Sequence, residues 1–194
     1  MPEPLTQEAI LDTAEEVLRR FGPAKTTVVD VARALEVSHG SVYRHFSSKA
    51  ALRDAVTERW LERVSAPLEA VAAGSTSPSR RLRQWVELLA RSKQDMARQD
   101  PELFATFRRL TTEARDVVAA HVDHLAAQVS RIVADGIAAG EFAPADAGRV
   151  GRAVLQATAL FHHPAHADEW GDPRLPDHFD AVFELVLQGL VVRR

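Results

Sequence analysis

Apolar residues recur at intervals of three and four along almost the whole chain, and no segment alternates apolar and polar residues for long. Spacing of this kind places apolar side chains along one face of a helix, whereas a half-buried strand needs a period of two. The pattern therefore predicts an all-α fold of about nine helices. The chain shows no internal repeat and no low-complexity tract.

Four helices are predicted in the first third of the chain. Each begins after a Ser or Thr whose hydroxyl can cap the free backbone N–H groups of the first turn. Gly22-Pro23 ends the first helix, and Thr27 with Asp30 forms a capping-box-like pattern at the start of the second. The predicted ranges are 6–21, 27–35, 38–46, and from 47 or 48 onward.

Breaker residues divide the remaining two thirds. The segment AVAAGSTSPS, 70–79, is predicted to be a loop, and Pro78 and Pro101 occupy positions typical of the first turn of a helix. The connection PAHADEWGDPRL is predicted to be irregular. The further helices are predicted at about 78–98, at 101–112, from there to 140, at 145–163 and at 176–192.

The third predicted helix has about eight residues, too few for a helix that is stable alone in water. Val42 and Phe46 are four apart and therefore face the neighbouring helices that hold it. The remaining side chains are polar and face solvent. A second helix, a tight turn and a short third helix with a polar surface are the parts of a helix-turn-helix, which inserts its second helix into a DNA major groove.

Charge is distributed unevenly along the chain. The net charge of −3 does not indicate a nucleic-acid-binding protein, and residues 1–60 carry eight bases and nine acids. However, the seventeen residues 37–53 contain no acid. Because a DNA-binding surface must approach polyphosphate, this local absence of acids is more informative than the net charge.

Composition excludes several classes of protein. The chain has no cysteine, which excludes disulfides, thiolate metal sites and cysteine nucleophiles and is compatible with a reducing cytoplasm. It opens without the apolar stretch of a secretory signal, and no run of eighteen apolar residues suggests a membrane span. We expect a cytoplasmic protein with no membrane partner.

The N-terminal segment ILDTAEEVLRRFG, followed by TTVVDVARALEVSHGSVYRHFSSKAALRDAV, resembles the DNA-binding domain of TetR-family transcriptional repressors. The resemblance covers about residues 6–60. It rests on the types and spacings of Thr26, Thr27, Ala32, Val37, Ser38, Tyr43, Phe46, Lys49 and Leu52. It implies a three-helix DNA-binding domain at 1–48 and a larger helical ligand-binding and dimerisation domain at 49–194, with no enzymatic activity and no cofactor.

Glu36 departs from the family pattern, because glycine is common at that position of the turn. If the backbone there is left-handed, a glutamate costs roughly 1 kcal/mol relative to glycine. The turn is therefore predicted to be strained or slightly different in shape.

The resemblance implies roles for the residues of the polar surface. Arg44 and His39 would donate to guanine edges, and Ser41 would serve a base or a phosphate. Phosphate contacts are expected from the Tyr43 hydroxyl and from Thr27 and Lys49 at helix N-termini. The predicted DNA-binding residues are Thr27, Ser38, His39, Gly40, Ser41, Tyr43, Arg44, His45 and Lys49.

The resemblance also implies a homodimer, in which two recognition helices meet successive major grooves of a palindromic operator about 34–36 Å apart. The last two predicted helices carry apolar stripes suited to a four-helix interface, although packing within one chain explains the same stripes. The predicted interface residues are Val150, Val154, Ala157, Phe179, Phe183, Val186, Leu187 and Leu190.

A small-molecule effector is expected to bind among the middle helices and to release the repressor from its operator. Small-molecule sites are mostly apolar with a few polar groups, and core packing accounts for the same residues equally well. The predicted ligand-binding residues are Trp85, Leu89, Met96, Phe104, Phe107, His121, His124 and Phe161.

Two other functions remain open from the sequence. Imidazoles are common zinc and nickel ligands, so the chain could be a helical metal-dependent enzyme using His121, His124, His162, His163 and His166. That function requires ligands converging from at least two helices, and ordinary surface histidines explain the pattern without a metal. Alternatively, the helix-turn-helix could contact a protein, and a steep salt dependence of DNA binding would distinguish the two cases.

Overall fold

The structure is a computed structural model that describes residues 5–192, and within them the fold is all-α, as predicted. Residues 1–4 of the predicted N-terminal domain and residues 193–194 of the predicted C-terminal domain lie outside the described residues. The helices are α1 Gln7–Phe21, α2 Val28–Ala34, α3 His39–Tyr43, α4 Lys49–Ala72, α5 Pro78–Gln99, α6 Pro101–Glu113, α7 Arg115–Ala138, α8 Ala147–Ala157, α9 Ala159–His162, a 3₁₀ helix Pro164–Glu169, and α10 Leu175–Leu190.

Helix starts follow the predicted caps. Thr6 Oγ1 accepts the N–H of Ala9 at 3.1 Å, and Ser38 Oγ accepts the N–H of Ser41 at 3.2 Å. Gly22 ends α1 with φ 73°, a left-handed conformation that glycine adopts without a steric penalty. Capping residues therefore determine where α1 and α3 begin, and a glycine determines where α1 ends.

Two predicted boundaries were wrong by several residues. Helix α3 ends at Tyr43 rather than near Phe46, and α4 continues to Ala72 through the start of the predicted loop at 70–79. Leu68 and Ala72 are both buried, so the apolar stripe of α4 continues past Pro67 and keeps the chain helical.

The predicted helix 145–163 is divided at Thr158. The Thr158 hydroxyl donates to the carbonyl of Val154 at 2.8 Å, and back-bonding of this kind often bends a helix. The 3₁₀ helix then follows, and the indole of Trp170 holds its end by donating to the carbonyl of Leu160 at 2.8 Å. The break at Thr158, which divides one predicted helix into α8 and α9, and the added 3₁₀ helix account for the helices beyond the predicted nine.

The described residues form two compact units. The first comprises the chain up to Leu61 together with Gln99–Ala119. Its core is formed by α1 to α3, α6 and the first part of α4, and the guanidinium of Arg59 joins α4 to α1 by salt bridges to Asp12 at 2.8 Å and Glu15 at 2.7 Å. The predicted boundary after residue 48 separates the residues expected to contact DNA from those expected to bind a ligand and a second chain. It stays a prediction.

The second unit comprises Glu62–Arg98 and the residues from Ala120 onward. Its core contains apolar residues of α4, α5, α7, α8 and α10. Gly136 is required by packing, because a Cβ there would lie 2.1 Å from Cδ2 of Phe142. Gly151 similarly allows α8 to approach α7, where a Cβ would lie 2.3 Å from Oγ of Ser130. Of the helices in residues 5–192, none has the length and apolarity needed to cross a bilayer.

Candidate nucleic-acid interface

Helices α2 and α3 are joined by a tight turn centred on Glu36. The N–H of Val37 donates to the carbonyl of Ala32 at 3.0 Å, and the N–H of Glu36 donates to the carbonyl of Arg33 at 3.1 Å. This pair of bonds is a Schellman motif, which ends a helix with one left-handed residue. Glu36 is that residue, with φ 56°, so the strained backbone expected at this departure from the family pattern is present.

Helix α3 is anchored by two apolar side chains. Val42 is completely buried and Phe46, just beyond the helix, is also buried. These contacts hold a five-residue helix that could not persist alone. His39, Gly40, Tyr43 and Arg44 consequently stand exposed on the opposite side.

A chain of hydrogen bonds orders the exposed side of α3. The hydroxyls of Ser38 and Ser41 lie 2.9 Å apart, and Nη2 of Arg44 donates to Oγ of Ser41 at 3.1 Å. The rings of His39 and Tyr43 meet edge to face with centroids 6.3 Å apart. These contacts link the polar side chains of α3 to one another, and His39, Tyr43 and Arg44 remain exposed.

Gly40 lies in the middle of this surface, and the fold does not require a glycine there. A Cβ at Gly40 would meet only Oγ of Ser38, at 3.8 Å, an ordinary van der Waals contact. Alanine would also favour the helix by roughly 0.5–1 kcal/mol. A glycine at this position leaves room for something outside the chain to approach the backbone of α3.

Thr27 and Lys49 flank α3 at the starts of α2 and α4. The N–H of Thr27 donates to Oδ2 of Asp30 at 3.0 Å, and the N–H of Asp30 donates to Oγ1 of Thr27 at 3.2 Å, which completes the predicted capping box. Hydrogen bonds from Thr27 lower the pKa of the Asp30 carboxyl, and the charges of Arg33 and Lys49 lower it further.

All nine predicted DNA-binding residues belong to the first unit. Seven lie on the surface of α3 or directly beside it, and two lie at neighbouring helix starts. Ser41 and His45 are half-buried, and the others are exposed. The structure therefore groups seven of the nine around α3 and places Thr27 and Lys49 at the starts of α2 and α4.

Two sequence families match this chain in separate regions. Residues 10–56 match the bacterial regulatory proteins of the tetR family. Residues 78–183, more than half of the chain, match the tetracyclin repressor-like C-terminal domain. The chain belongs to the TetR family. It is therefore a transcriptional regulator with a DNA-binding helix-turn-helix, as the N-terminal resemblance implied.

Relatives of known sequence and structure agree with this membership. An uncharacterised HTH-type transcriptional regulator of Mycobacterium tuberculosis is 31% identical over 103 residues, 53% of this chain and 49% of that protein. An HTH-type transcriptional repressor of the same organism is 42% identical over 50 residues, 26% of this chain and 27% of that protein. The chain thus spans about half the length of the first curated relative, and less of the second.

Solved structures of the TetR family share the fold over almost the whole chain. A TetR-family regulator from Pectobacterium atrosepticum has a TM-score of 0.71 at 24% identity, over 96% of this chain and 94% of that one. A TetR regulator from Haloarcula marismortui has a TM-score of 0.72 at 21% identity, over 96% and 98%.

The residues predicted for the dimer interface divide into two groups. Val154 and Phe183 belong to the core of the second unit. Ala157 is exposed, and the other five, Val150, Phe179, Val186, Leu187 and Leu190, are half-buried on α8 and α10. Sequence reasoning missed Leu185, which is 71% exposed on α10. It lies off the apolar stripe, so periodicity did not select it.

The residues predicted for the ligand site are not brought together as one group. Phe104 and Phe107 belong to the first unit, where their ring centroids lie 6.3 Å apart. The other six belong to the second unit, on α5, α7 and α9, and among them His124 is exposed while Met96 and His121 are half-buried. Of these, Trp85 and Leu89 are fully buried in the core.

Sequence reasoning also missed Lys93, which is buried on α5. The available signal was its position in the apolar stripe of that helix, four residues after Leu89 and eight after Trp85. The histidines of the enzyme alternative gain no support, because in the described part of the chain no three His, Cys, Asp or Glu side chains are grouped so that they could hold a metal ion.

Proposed function

We propose that the chain is a homodimeric repressor that binds a palindromic DNA operator through α3 and leaves it when a small-molecule effector binds. The observation that carries this proposal is the exposed, acid-free surface of α3. At its centre is Gly40, where the packing of the chain does not require a glycine. Residues 1–48 would contact DNA, and residues 49–194 would bind the effector and the second chain.

The chemistry of the α3 surface favours DNA over a protein partner. Arg44 and His39 present donors suited to guanine, and Tyr43, 44% exposed, presents a hydroxyl suited to phosphate. A protein interface would instead be expected to expose a central apolar patch, since the core of such interfaces is depleted of charge. Val42 and Phe46, which could form one, are buried.

The repressor role and the dimer rest on weaker support. The relative that is 42% identical over 50 residues is named a transcriptional repressor. Half-buried apolar residues of α10, with Leu185 exposed beside them, supply a surface for a second copy. A dimer also fits the geometry of DNA, because two short helices must reach two half-sites to gain enough contact area.

The experiment is a gel shift of the purified chain on duplex DNA taken from upstream of its own gene. We expect a complex whose log affinity falls linearly with log salt concentration, with a slope of several units. Arg44→Ala should weaken binding at least about tenfold, and Tyr43→Phe should weaken it several-fold, since each removes one contact. Arg20→Ala, an exposed arginine on α1, is the matched control and should bind as the unaltered chain does.

Circular dichroism must show that Arg44→Ala and Tyr43→Phe remain folded. Unchanged affinity in both variants would contradict the assignment of α3 as the recognition helix. A salt-independent complex would favour the alternative in which the helix-turn-helix contacts protein.

A further inference from the structure

The first unit contains a cavity of about 430 Å³ between α1, the start of α2, the start of α4 and the end of α6. All the residues that line it belong to this unit, and none of the eight residues predicted for the ligand site is among them. Small-molecule sites in proteins usually have volumes of about 300–1,000 Å³, so this cavity is large enough for a compact ligand. It is a candidate binding site that sequence reasoning did not predict.

The inner wall of the cavity is apolar. It is formed by the buried side chains of Ala14, Leu18, Val28, Leu52, Val56 and Leu110. Thr26 is also buried in this wall, but its hydroxyl already donates to the carbonyl of Gly22 at 2.8 Å. Because a polar group that is buried without a partner costs free energy, this wall favours a ligand with an apolar body.

The opening of the cavity is polar. The exposed residues that line it are Ala24, Thr27, Lys49, Ala50 and Glu113. Glu113 accepts a hydrogen bond from Nη1 of Arg53 at 3.2 Å, which joins the end of α6 to the start of α4. Arg53 also lines the cavity, and it forms a second salt bridge with Asp54 at 2.8 Å. The guanidinium of Arg53 is therefore already matched by two carboxylates of the same unit.

Lys49 is the cation of this opening that is placed to bind a ligand. Its side chain is exposed and forms no salt bridge to any of residues 5–192. The charge of Lys49 lowers the pKa of Asp30, but that carboxylate accepts its hydrogen bonds from Thr27 and Arg33. Since an ammonium has three N–H donors, Lys49 can donate to an acceptor on a bound molecule.

We propose that this cavity binds a compact apolar molecule with one carboxylate, which accepts hydrogen bonds from Lys49 and thereby competes with operator DNA for the same ammonium. The body of the ligand packs against the apolar inner wall. A carboxylate is favoured over a neutral head group because charge-assisted hydrogen bonds are roughly twice as strong as neutral ones. The competition rests on the proposed function, in which Lys49 contacts phosphate, whereas the binding site itself does not.

The probes are benzoate and 2-naphthoate, each paired with its neutral primary amide, which has nearly the same shape. Titration calorimetry and the melting temperature of the full chain are the two readouts. We expect at least one carboxylate to bind once per chain, and to bind at least about fivefold more tightly than its amide. No binding by either carboxylate, or equal binding within each pair, overturns the proposal. The variants below use whichever carboxylate binds more tightly.

Ala50→Trp tests where the carboxylate binds. Ala50 is exposed and lines the opening, so an indole there would fill the mouth of the cavity without disturbing the inner wall. We expect carboxylate binding to be lost, while the melting temperature of the ligand-free protein changes little. Ala105→Trp, at an exposed alanine of α6 outside the cavity lining, is the control and should bind the carboxylate normally. If Ala50→Trp does not fold, Ala24→Trp replaces it, and full affinity in the folded variant overturns the proposal.

Lys49→Met tests the role of the ammonium. We expect carboxylate affinity to fall about fivefold or more, to that of the amide, while affinity for the amide stays the same. A change that merely disturbed the cavity would weaken both ligands equally. Arg109→Met, at an exposed arginine of α6, is the control and should bind the carboxylate as the unaltered chain does. Unaltered carboxylate affinity in Lys49→Met, or an equal loss for both ligands, overturns the proposal.

Gel shifts separate this proposal from the function on which the competition rests. With the cavity saturated by the carboxylate, operator affinity of the unaltered chain should fall about tenfold or more, because one phosphate contact is lost and a negative charge is added. Operator affinity of Ala50→Trp should not respond to the carboxylate. Operator affinity that stays constant although the carboxylate binds overturns the competition. If the chain binds no operator while the carboxylate still binds in the cavity, the ligand site stands and the proposed function is wrong.

Discussion

The indole N–H of Trp85 donates a 2.9 Å hydrogen bond to Oε1 of Gln128, and both side chains are shielded from water. Nε2 of Gln128 donates to the carbonyl of Ser65 at 3.3 Å and lies 3.0 Å from Nε2 of His124. One amide therefore joins α4, α5 and α7 through hydrogen bonds inside an apolar core. A fully satisfied polar group of this kind fixes the relative register of the helices, because any slip would leave buried groups without partners.

Gln128→Leu removes the centre of this network while keeping the approximate volume of the side chain. The indole of Trp85 and the carbonyl of Ser65 would lose their partners, so we expect unfolding free energy to fall by about 2–4 kcal/mol. Urea denaturation at neutral pH measures it. Gln84→Leu on α5 is the control, because Gln84 is exposed and should change stability by less than about 0.5 kcal/mol. Equal effects in the two variants would show that the network adds no stability.

Much of the N-terminal unit could be predicted from sequence because its signals are local. Thr6, Thr27 and Ser38 cap the helices that follow them, and Gly22 ends α1, so each boundary is decided within a few residues. The α3 surface was predictable for the same reason: Val42 and Phe46 define the buried side, and Tyr43 and Arg44 between them are exposed.

The second unit was less predictable because its decisive contacts are distant in sequence. Gln128 meets Trp85 from 43 residues away, and nothing in the local pattern of α7 indicates a buried amide. Lys93 lies on an apolar stripe, yet the sequence does not show which side chains face it. The break at Thr158 depends on whether its hydroxyl bonds to solvent or to the carbonyl of Val154, and the sequence does not show which.

Glu36→Gly should relieve the left-handed strain in the turn between α2 and α3. A glutamate at φ 56° costs roughly 1 kcal/mol relative to glycine, so we expect unfolding free energy to rise by about that amount. Thermal or urea denaturation measures the gain. Glu36→Ala removes the same carboxylate but keeps a Cβ, and it should bring no comparable gain. A gain of equal size in the alanine variant would attribute the effect to charge instead of backbone strain.

Gly40→Ala should separate folding from DNA binding. The added methyl meets only Oγ of Ser38 at 3.8 Å, so the fold should be unchanged or more stable by up to about 1 kcal/mol. If a DNA backbone approaches α3 at this point, operator affinity should nevertheless fall about tenfold or more. Gel shift and denaturation together measure both effects. Gly171→Ala, where a Cβ has nothing within 4 Å, is the control and should retain full affinity. Unaltered affinity in Gly40→Ala would mean that the operator does not contact this position.

Stability should fall in mildly acidic solution because of His121 and His162. Burial lowers their folded-state pKa values to about 3 and about 4, below the unfolded value near 6.5. Between these values the unfolded chain binds protons that the folded chain does not, so stability rises with pH and is lost as pH falls below about 6.5. The two histidines should contribute a loss of about 3 kcal/mol between pH 6.5 and 5.

The double variant His121→Gln/His162→Gln isolates that contribution from the carboxylates that also titrate in acid. Urea denaturation of both proteins at pH 7.5, 6.5 and about 5 gives the difference in slope. We expect the double variant to lose distinctly less stability over this range than the unaltered chain. Parallel pH profiles would show that the two imidazoles titrate normally in the folded protein.

Leu185→Arg should dissociate the proposed homodimer without damaging the protomer. Leu185 is 71% exposed on α10, next in sequence to half-buried Val186, and the proposed second copy would cover it. A guanidinium buried there without an opposite charge should weaken association by at least about a hundredfold. Sedimentation velocity at micromolar concentration should change from dimer to monomer, and operator affinity should fall with it. Val122→Arg, at an exposed apolar residue of α7, is the control and should remain dimeric. A Leu185→Arg protein that sediments as the unaltered chain does would place the interface elsewhere.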